Sequence, residues 1–479
     1  MALQSQKTIF IVCFHLLAAR NILTTDVFPI IKNRPNCRVV LFVPAYKKFF
    51  YEENYSDDNV LIEGLEEAML SNLASFRLFK FLSSVLVPAY TAKLRAMEKM
   101  HKSQSLSDYI KYFLSRLITI FLSQSKFIKN TVRKFDYYFS ACGFLDKYFT
   151  QYRPDLVFVT DVFSPMDVLF VQAARRNRIL SVGMVRSWDN TTTRGLMRAI
   201  PDKLIVNNEI IKEEAINLQN INTDFFIGGI PQFDIALRHF ESNRNSFFKK
   251  IGANPLKRLI LLAPAGIVLS DTDWQVCELL RQSIIDKKLV NVQFLIRSHP
   301  ANLADLVQFN ADENFIIDRP GTHFYGSRDG TFTARRNFFK KTVPVGIKLR
   351  GTEIMPEDSL HLIESLYHTD IIIHVSSSIG LDSLVFDKPQ IMIEFDGWET
   401  RPYLESVRRY HDEDHMAKYI KTGAARLAHN FAELVDLINQ YLKNPRLDSE
   451  KRQMALKEQY YFVDGQSGKR IGDFVTSHL

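Results

Sequence analysis

Cysteine is scarce in this 479-residue sequence. Its four copies, Cys13, Cys37, Cys142 and Cys277, are far apart and form no CxxC pair. This spacing argues against a zinc knuckle and against a dense disulfide framework. A reducing cytosol is the simplest compartment for such a chain.

Long apolar runs are also missing. No run reaches the roughly 18 residues that a membrane-spanning helix needs. The apolar run in residues 8–19 is interrupted by His15 and followed by Arg20 and Asn21. A buried first strand therefore explains this run better than a signal peptide does. We expect a cytoplasmic protein that is at most peripheral on the inner membrane face.

Phosphate-loop and metal motifs are absent as well. The sequence contains no GxGxxG and no GxxxxGK[ST] loop, which argues against redox and P-loop chemistry. The segment Asp271-Thr272-Asp273 has the letters of a metal-binding DxD motif, but its position indicates a helix start, where acids favour the helix dipole. We therefore expect no metal site and no cofactor.

What the sequence does contain is typical of a folded globular protein, with 46% hydrophobic and 24% charged residues. Its length predicts two or more domains. The formal net charge of +8 is unevenly distributed. Residues 71–150 contain 13 Lys or Arg but only four Asp or Glu, so this stretch carries the basic character of the chain.

The basic stretch belongs to a longer segment, residues 66–150, that is predicted to be helical throughout. It mixes basic residues with aromatic and aliphatic ones. Such a helical insertion can lie on an anionic membrane surface or bind an anionic acceptor. It can equally be a solvated helical pair whose apolar side is ordinary core. No recognition motif for nucleic acid is present, so we expect no nucleic-acid partner.

Outside the insertion, short apolar strands alternate with helices, which predicts parallel sheets. Gly228 to Asp234 combines glycines with a proline and is predicted to be a hinge, followed by a long helix. We predict an α/β fold with two doubly wound Rossmann-like domains facing a cleft. The predicted parts are residues 1–228 with the insertion, residues 229–455, and a C-terminal helix in 456–479 that packs back on the first domain.

A row of three serines, Ser376, Ser377 and Ser378, lies between an apolar strand and a helix that Lys388-Pro389 ends. Hydroxyls at a helix N-terminus lie where backbone N–H groups are unpaired and the dipole is positive, so the row predicts a phosphate site. The alternative is that one serine simply caps the helix.

Other polar residues follow predicted strands, where ligands of open α/β sheets bind. The polar loop of residues 186–195 is hard to explain as a mere connector. A basic segment, residues 318–341, is predicted to be a loop or short hairpin. The candidates in the first half are His15, Asp161, Trp188, Asp189 and Asn190. Those in the second half are Gly266, Arg297, His299, the serine row and Asp382.

Several of these motifs resemble a known family. They are Arg297-x-His299-Pro300, the segment from Asp370 to Asp382, Lys388-Pro389, and the phrase Gly229 to Asp234. Together they resemble the carboxyl-terminal half of the CDP-glycerol glycerophosphotransferases and related GT-B glycosyltransferases of bacterial surface polymers. Ser187 to Asn190 with Gly195, and the tail Asp464 to Ile471, resemble further parts of these proteins.

The resemblance implies that Gly266, Arg297, His299 and the serines bind the donor, with Asp382 near its ribose or sugar. Two departures favour sugar transfer over glycerol phosphate transfer. Trp188 to Asn190 replaces a His-Gly loop, and His374-Val375 replaces an aspartate–tyrosine pair. Trp188 and Asn190 are then acceptor-side residues. The catalytic base is Asp161, Asp189 or His15, and the sequence does not decide among them.

The sequence therefore predicts a metal-independent glycosyltransferase. Its donor would be a nucleotide-activated sugar, and its acceptor a bacterial cell-surface glycan or a lipid-linked acceptor. The alternatives on the same fold are a CDP-glycerol-type glycerophosphotransferase and a UDP-sugar 2-epimerase. A protein that binds a glycan or a membrane without catalysis is a third possibility.

Overall fold

The computed structural model describes residues 6–67, 70, 73–103, 105–140, 142–302, 304, 306, 308–326, 332–336 and 348–479. The chain divides into two compact units. Unit 1 comprises residues 1–234 and 460–479, and unit 2 comprises residues 235–459. The boundary falls at the end of the predicted hinge segment.

Unit 1 contains a parallel sheet of seven strands in the described residues, in the order β3-β2-β1-β4-β5-β6-β7. Its strands are near-continuous apolar runs because helices cover both faces of a parallel sheet. The strand order reverses between β1 and β4, which is the topological switch point. The strands are β1 (Lys7–Val12), β2 (Cys37–Pro44), β3 (Val60–Leu65), β4 (Leu156–Val159), β5 (Leu180–Met184), β6 (Lys203–Val206) and β7 (Asp224–Ile227).

The helices of unit 1 follow the predicted alternation with one correction. The apolar spacing in residues 16–33 predicts a single helix, but the structure has two, because the hydroxyls of Thr24 and Thr25 bond back to the carbonyls of Arg20 and Asn21 and end the first one. The helices are α1 (Leu16–Leu23), α2 (Val27–Lys32), α3 (Lys48–Tyr55), α4 (Ala74–Val85), α5 (Tyr90–Ser103), α6 (Leu106–Leu122), α7 (Lys126–Tyr138), α8 (Asp146–Tyr152), α9 (Pro165–Asn177), α10 (Asn190–Thr193) and α11 (Glu209–Asn217).

The described part of the insertion is mainly helical, with short connections between helices, and contains α4 to α8 with a short 3-10 helix at Cys142–Leu145. Helix α7 is fastened to the Rossmann-like part by two buried basic residues. Lys129 Nζ donates to the Leu218 carbonyl at 2.6 Å, and Arg133 Nε donates to the Met197 carbonyl at 2.8 Å. These two cations of the basic stretch are therefore structural.

Unit 2 contains a parallel sheet of six strands in its described part, in the order β10-β9-β8-β14-β15-β16. Its switch point lies between β8 and β14. Three further strands form an antiparallel sheet in the order β12-β11-β13. The strands are β8 (Arg258–Ala263), β9 (Val292–Arg297), β10 (Phe315–Asp318), β11 (Thr322–Gly326), β12 (Phe332–Arg336), β13 (Lys348–Glu353), β14 (Ile371–His374), β15 (Gln390–Ile393) and β16 (Arg426–Ala428).

The helices of unit 2 also include one correction. The long helix predicted after Asp234 is two short helices, because the Asn243 side chain accepts from Ser246 N–H at 3.0 Å and starts a new one. The helices are α12 (Asp234–Arg238), α13 (Arg244–Ile251), α14 (Asp273–Ile285), α15 (Pro356–His368), α16 (Ile379–Leu384), α17 (Asp414–Lys421), α18 (Phe431–Lys443) and α19 (Ser449–Tyr460).

The basic segment predicted at 318–341 contains the antiparallel pair β11–β12. Residues 327–331 and 337–341 of that segment, with Arg328, Lys340 and Lys341, lie outside the described residues.

The final helix, α20 (Ser467–Thr476), belongs to unit 1. Its Gly468 N–H donates to Asp234 Oδ2 at 2.6 Å, and the Phe474 ring stacks on Phe226 at 4.0 Å between centroids. The close approach requires glycine at position 228, where a Cβ would lie 2.6 Å from the Ile471 side chain.

Candidate functional site

Parallel strands bring their carboxyl ends to one edge of a sheet. In unit 1 this edge carries His15 after β1, Asp161 after β4 and Arg186 after β5. Strands β1 and β4 are neighbours at the switch point. Two of the three candidate bases, His15 and Asp161, therefore follow the two strands between which the strand order reverses.

Asp161 forms a buried ion pair with Arg186. Arg186 Nε donates to Asp161 Oδ2 at 2.8 Å, and the two side chains are only 3% and 6% exposed. The other carboxylate oxygen accepts from Phe163 N–H at 3.2 Å, and the Arg186 carbonyl accepts from the Asn21 amide at 3.0 Å. Because both of its oxygens are engaged, Asp161 is better suited to orienting its neighbours than to taking up a proton.

Asp167 is a buried carboxyl group that sequence reasoning missed. Its Oδ1 accepts from Asp161 N–H at 2.7 Å. Burial, and then the negative charge of Asp161, raise the pKa of Asp167 well above its usual range. Two neighbouring carboxyl groups with different environments are typical of functional sites. The sequence signal was weak, because an acid in the first turn of α9 is also an ordinary helix start.

His15 caps α1, and its Nδ1 accepts from Leu17 N–H at 3.1 Å. Burial, then the charge of Arg186, and to a smaller extent that of Arg194, lower the pKa of His15 to about 3. The imidazole is therefore neutral near pH 7, and its Nδ1 bond assigns the proton to Nε2. His15 is better suited to donating a hydrogen bond than to acting as a general base.

The polar loop after β5 contains the remaining candidates of unit 1. Trp188 and Asp189 are half-buried, and Asp189 Oδ2 accepts from the Thr193 hydroxyl at 2.9 Å. Asn190 is fully buried, and its side-chain amide has no hydrogen-bond partner among the described residues. Of the two carboxylates among the candidate bases, Asp189 is therefore the more accessible, since Asp161 is buried.

In unit 2 the turn after β8 lies at the switch point. Gly266 has φ +82°, and a Cβ there would come within 2.5 Å of Asn302. The Asp273 carboxylate accepts from Ala265 N–H at 3.1 Å and from Gly266 N–H at 2.8 Å. Burial raises the pKa of Asp273 to about 6. Asp273 thus holds this turn at the start of α14, and the amide of Gly266 already has a protein partner.

The serine row follows β14, on the other side of the switch point. Ser377 Oγ accepts from Ile379 N–H at a long 3.4 Å and so caps α16 weakly. Within the described residues, the hydroxyls of Ser376 and Ser378 make no hydrogen bond. Ser378 is exposed, whereas Asp382 is buried one turn into α16. Ser377 is therefore the member of the row that caps the helix, whereas the hydroxyls of Ser376 and Ser378 take no part in capping.

His374 ends β14 beneath α16 and is fully buried. A Cβ at Gly380 would lie 2.8 Å from its Nε2, so helix and imidazole are in close contact. Burial, and then the nearby His411, lower the pKa of His374 to about 3. This neutral imidazole supports the backbone from which the serines project.

Arg297 ends β9 and is buried, with its guanidinium bonded to the Asp318 carboxylate. The His361 imidazole contacts the same carboxylate oxygen, with 3.1 Å between His361 Nε2 and Asp318 Oδ2. Burial alone would raise the pKa of Asp318, but Arg297 and His361 outweigh it and hold that pKa below its usual range. Sequence reasoning missed Asp318 and His361, because they lie on distant elements.

His299 is exposed just beyond the same strand. Its Nδ1 accepts from Ala301 N–H at 3.1 Å, which in the neutral ring leaves the proton on Nε2. A further residue missed from the sequence is Glu394, which follows β15 and bonds to the His429 imidazole. Hydrogen bonding from His411 lowers the pKa of Glu394. The position of Glu394 just after a strand was the sequence signal that could have identified it.

No group of three or more His, Cys, Asp or Glu side chains among the described residues is arranged to hold a metal ion. No helix in the described part of the chain is long and apolar enough to cross a membrane.

Comparison with solved structures defines the class of fold. The chain is similar to S. aureus MnaA in a structure with UDP, with a TM-score of 0.52, 10% identity, and 99% of this chain and 98% of that chain covered. A putative UDP-N-acetylglucosamine 2-epimerase from Listeria monocytogenes gives a TM-score of 0.51 and 11% identity, covering 99% and 97%. The glycotransferase of kitacinnamycin gives 0.51 and 11%, covering 99% and 99%. The chain therefore has the GT-B fold, as predicted.

One family profile matches part of unit 2 and the C-terminal tail. Residues 347–477 are similar to the family described as CDP-Glycerol:Poly(glycerophosphate) glycerophosphotransferase. Comparison with curated protein sequences gives no significant match. The profile and the fold confirm the resemblance to the GT-B superfamily that the motifs indicated.

Proposed function

We propose that the chain is a transferase that takes a sugar from a nucleotide-activated donor and passes it to a cell-surface glycan or a lipid-linked acceptor. The observation that carries the proposal is the switch-point edge of unit 2. There a glycine turn, a row of serine hydroxyls and an exposed imidazole follow neighbouring parallel strands. Ligands of open α/β sheets bind at such edges. The structure of S. aureus MnaA with UDP supports a nucleotide donor.

The proposed donor contacts differ in kind. Ser376, Ser378 and His299 would donate hydrogen bonds to the phosphates, since their hydroxyls and the His299 Nε2–H are suitable donors. Arg297 would act as a positioning residue, because Asp318 already holds its guanidinium. Fixed donors of this kind stabilise a departing nucleotide diphosphate without a metal ion.

The proposed acceptor residues lie at the edge of unit 1. Asp189, the most accessible carboxylate of the candidates, would take the proton of the acceptor hydroxyl as general base. His15 would donate a hydrogen bond from Nε2, and the Asp161–Arg186 pair would hold this edge in shape. Trp188 would offer its ring to a sugar face.

A titration tests the donor part of the proposal. Calorimetry of the wild-type protein with UDP, CDP, CMP and GDP should show saturable binding of at least one nucleotide. The His299→Ala/Ser378→Ala variant should bind that nucleotide at least about tenfold more weakly, because two donors to a charged group are lost. Absence of binding by all four nucleotides at millimolar concentration would refute the proposal.

The family profile favours a second candidate, glycerophosphate transfer from a CDP-activated donor. Assays with nucleotide-sugars and with CDP-glycerol, each with and without acceptor extract, separate the reactions. Sugar transfer requires a nucleotide-sugar and an acceptor, and glycerophosphate transfer requires CDP-glycerol and an acceptor. Turnover of a UDP-sugar alone to its C2 epimer would instead identify an epimerase.

The outer face of α6 supports a peripheral membrane contact on the cytoplasmic side. Its exposed apolar side chains recur at helical spacing, with Phe113 63% and Phe121 73% exposed. Basic residues of the insertion complement anionic lipid. Wild-type protein should co-sediment with vesicles containing phosphatidylglycerol, and Phe113→Ser/Phe121→Ser should reduce this several-fold. Equal sedimentation of both proteins would contradict the contact. The exposed apolar set is Leu106, Tyr109, Ile110, Phe113, Leu114, Leu117, Ile120 and Phe121.

A further inference from the structure

Unit 1 contains a cavity of about 350 Å³ that none of the candidate donor or base residues lines. It lies among α4, α5, α6 and the end of the polar loop after β5, and its size is within the range of small-molecule sites. Six of its lining side chains are basic and one is acidic. The basic residues are Lys93, Arg95, Lys99, Lys111, Arg116 and Arg194, and the acidic one is Asp108.

The cations of this cavity are only partly neutralised by nearby carboxylates. Lys111 pairs with Asp108 at 3.1 Å, and Arg95 donates to the Thr193 carbonyl at 3.1 Å. In contrast, the side chains of Lys99, Arg116 and Arg194 form no hydrogen bond or close ion pair with the described residues, although Asp108 attracts Lys99 and Asp161 and Asp189 attract Arg194 at longer range. Like charges gathered in a cavity repel one another, so an anion that bridges them is strongly favoured.

The polar loop that carries Asp189 also forms part of the cavity wall. Helix α4 is bonded to the loop, since Leu196 N–H donates to the Ser83 carbonyl at 2.8 Å. Gly195 allows this approach, because it has φ +80° and a Cβ there would lie 2.7 Å from the same carbonyl oxygen. Thr193, which bonds to Asp189, lines the cavity. A group bound in the cavity is therefore next to the loop with the proposed base.

One wall of the cavity is α6, which contributes Lys111, Ser115, Arg116 and other residues of its inner side. The opposite side of the same helix is the exposed apolar face described above. A ligand whose phosphate lies in the cavity and whose apolar part follows α6 would bind the basic side of this helix and also cover its apolar face.

We propose that this cavity binds the phosphate or diphosphate group of the acceptor, and that the acceptor is a phosphorylated lipid. The shared chemistry is a phosphate dianion or diphosphate, which a soluble phosphate compound also carries. The inference rests on the proposed transfer to an acceptor and names the class of that acceptor.

Binding of inorganic pyrophosphate, measured by calorimetry in the presence of saturating nucleotide, tests the cavity. Nucleotide occupies the proposed donor site, so remaining pyrophosphate binding reports on unit 1. Lys99→Gln/Arg116→Gln should weaken this binding about tenfold or more, because hydrogen bonds to charged groups are lost. The matched control Lys126→Gln/Lys134→Gln removes the same charge from exposed positions on α7 that do not line the cavity, and should bind like wild type.

Co-sedimentation then separates a lipid source from a soluble one. Vesicles of phosphatidylcholine with phosphatidic acid should bind more tightly than vesicles with the same charge density of phosphatidylserine, and only the cavity variant should lose this preference. Pyrophosphate binding without any preference for phosphatidic acid would assign the site to a soluble phosphate compound and overturn the lipid proposal.

Equal losses in the cavity variant and the control, or no saturable pyrophosphate binding by wild type, would overturn the site altogether. The nucleotide titration distinguishes this failure from failure of the proposed function. If the cavity inference is wrong, nucleotide binding to unit 2 persists. If the donor proposal is wrong, nucleotide fails to bind while pyrophosphate still binds the cavity.

Discussion

The two Rossmann-like units each place a buried Arg–Asp ion pair at the carboxyl ends of neighbouring strands, but at different points of the sheet. In unit 1 the pair is Arg186–Asp161, and Asp161 follows β4 at the switch point. In unit 2 the pair is Arg297–Asp318, on β9 and β10 at the end of the sheet. The switch point of unit 2 instead carries glycine and serines. Charge lies at one switch point and hydroxyl donors at the other.

This difference suggests separate tasks. A charged, partly accessible edge suits proton transfer, because different local environments give its titratable groups different pKa values. An edge of hydroxyls and exposed imidazole suits a ligand that brings its own negative charge. Four predictions test the comparison, beginning with the largest expected effect.

Asp189→Asn tests whether the edge of unit 1 carries the chemistry. We expect the transfer rate to fall by about 10² to 10⁴ with nucleotide affinity unchanged, because a positioned general base contributes that much. The rate is measured with the donor that binds in calorimetry. Glu213→Gln, an exposed acid on α11, is the matched control and should retain the wild-type rate. Full activity of Asp189→Asn would remove it as the base.

Arg297→Leu tests whether the ion pair of unit 2 is structural. Removing one partner leaves the Asp318 charge buried, so the free energy of unfolding should fall by about 3–5 kcal/mol. Chemical denaturation measures this loss, and Arg297→Leu/Asp318→Leu should recover much of it.

The surface pair Arg258–Asp370, whose arginine side chain is 58% exposed, provides the control. Arg258→Leu should cost no more than about 1 kcal/mol, because water screens an exposed pair. If Arg297→Leu proves equally mild but abolishes nucleotide binding, Arg297 contacts the donor directly, as the sequence predicted.

His374→Leu tests the neutral imidazole beneath the serine row. Unfolded histidine takes up a proton below its ordinary pKa of about 6.5, whereas folded His374, with a pKa of about 3, does not. The unfolded state therefore binds more protons in this window, and stability falls as the pH is lowered through it. Wild type should lose about 2 kcal/mol between neutral pH and pH 5 through this residue.

Denaturation at several pH values measures the slope, which His374→Leu should flatten by this amount. His239→Leu is the control, since the His239 side chain is 82% exposed and makes only a surface contact. Identical pH slopes for wild type and His374→Leu would show that His374 is protonated without cost in the folded protein.

Features that depend on neighbouring residues in the sequence could be predicted, whereas contacts between residues far apart in the sequence could not. Most strands of the two parallel sheets and the position of the serine row follow from local apolar periodicity, whereas β10, β13 and β16 were not predicted. The partner of Arg297 was not, because Asp318 and His361 reach it only through the tertiary fold. The outward apolar face of α6 shows the same limit. Periodicity predicts that one face of the helix is apolar, but it does not predict whether that face is buried or exposed.

The smallest effect concerns single members of the serine row, and it separates capping from binding within three adjacent residues. Ser377 bonds to Ile379 N–H, so Ser377→Ala should lower stability by about 0.5–1 kcal/mol. Ser378 makes no such bond, so Ser378→Ala should leave stability unchanged and weaken nucleotide binding about threefold to tenfold. Denaturation and calorimetry on the same samples measure both quantities. If Ser378→Ala changes neither, the hydroxyl row is only a helix start, and the contrast between the two switch points fails at unit 2.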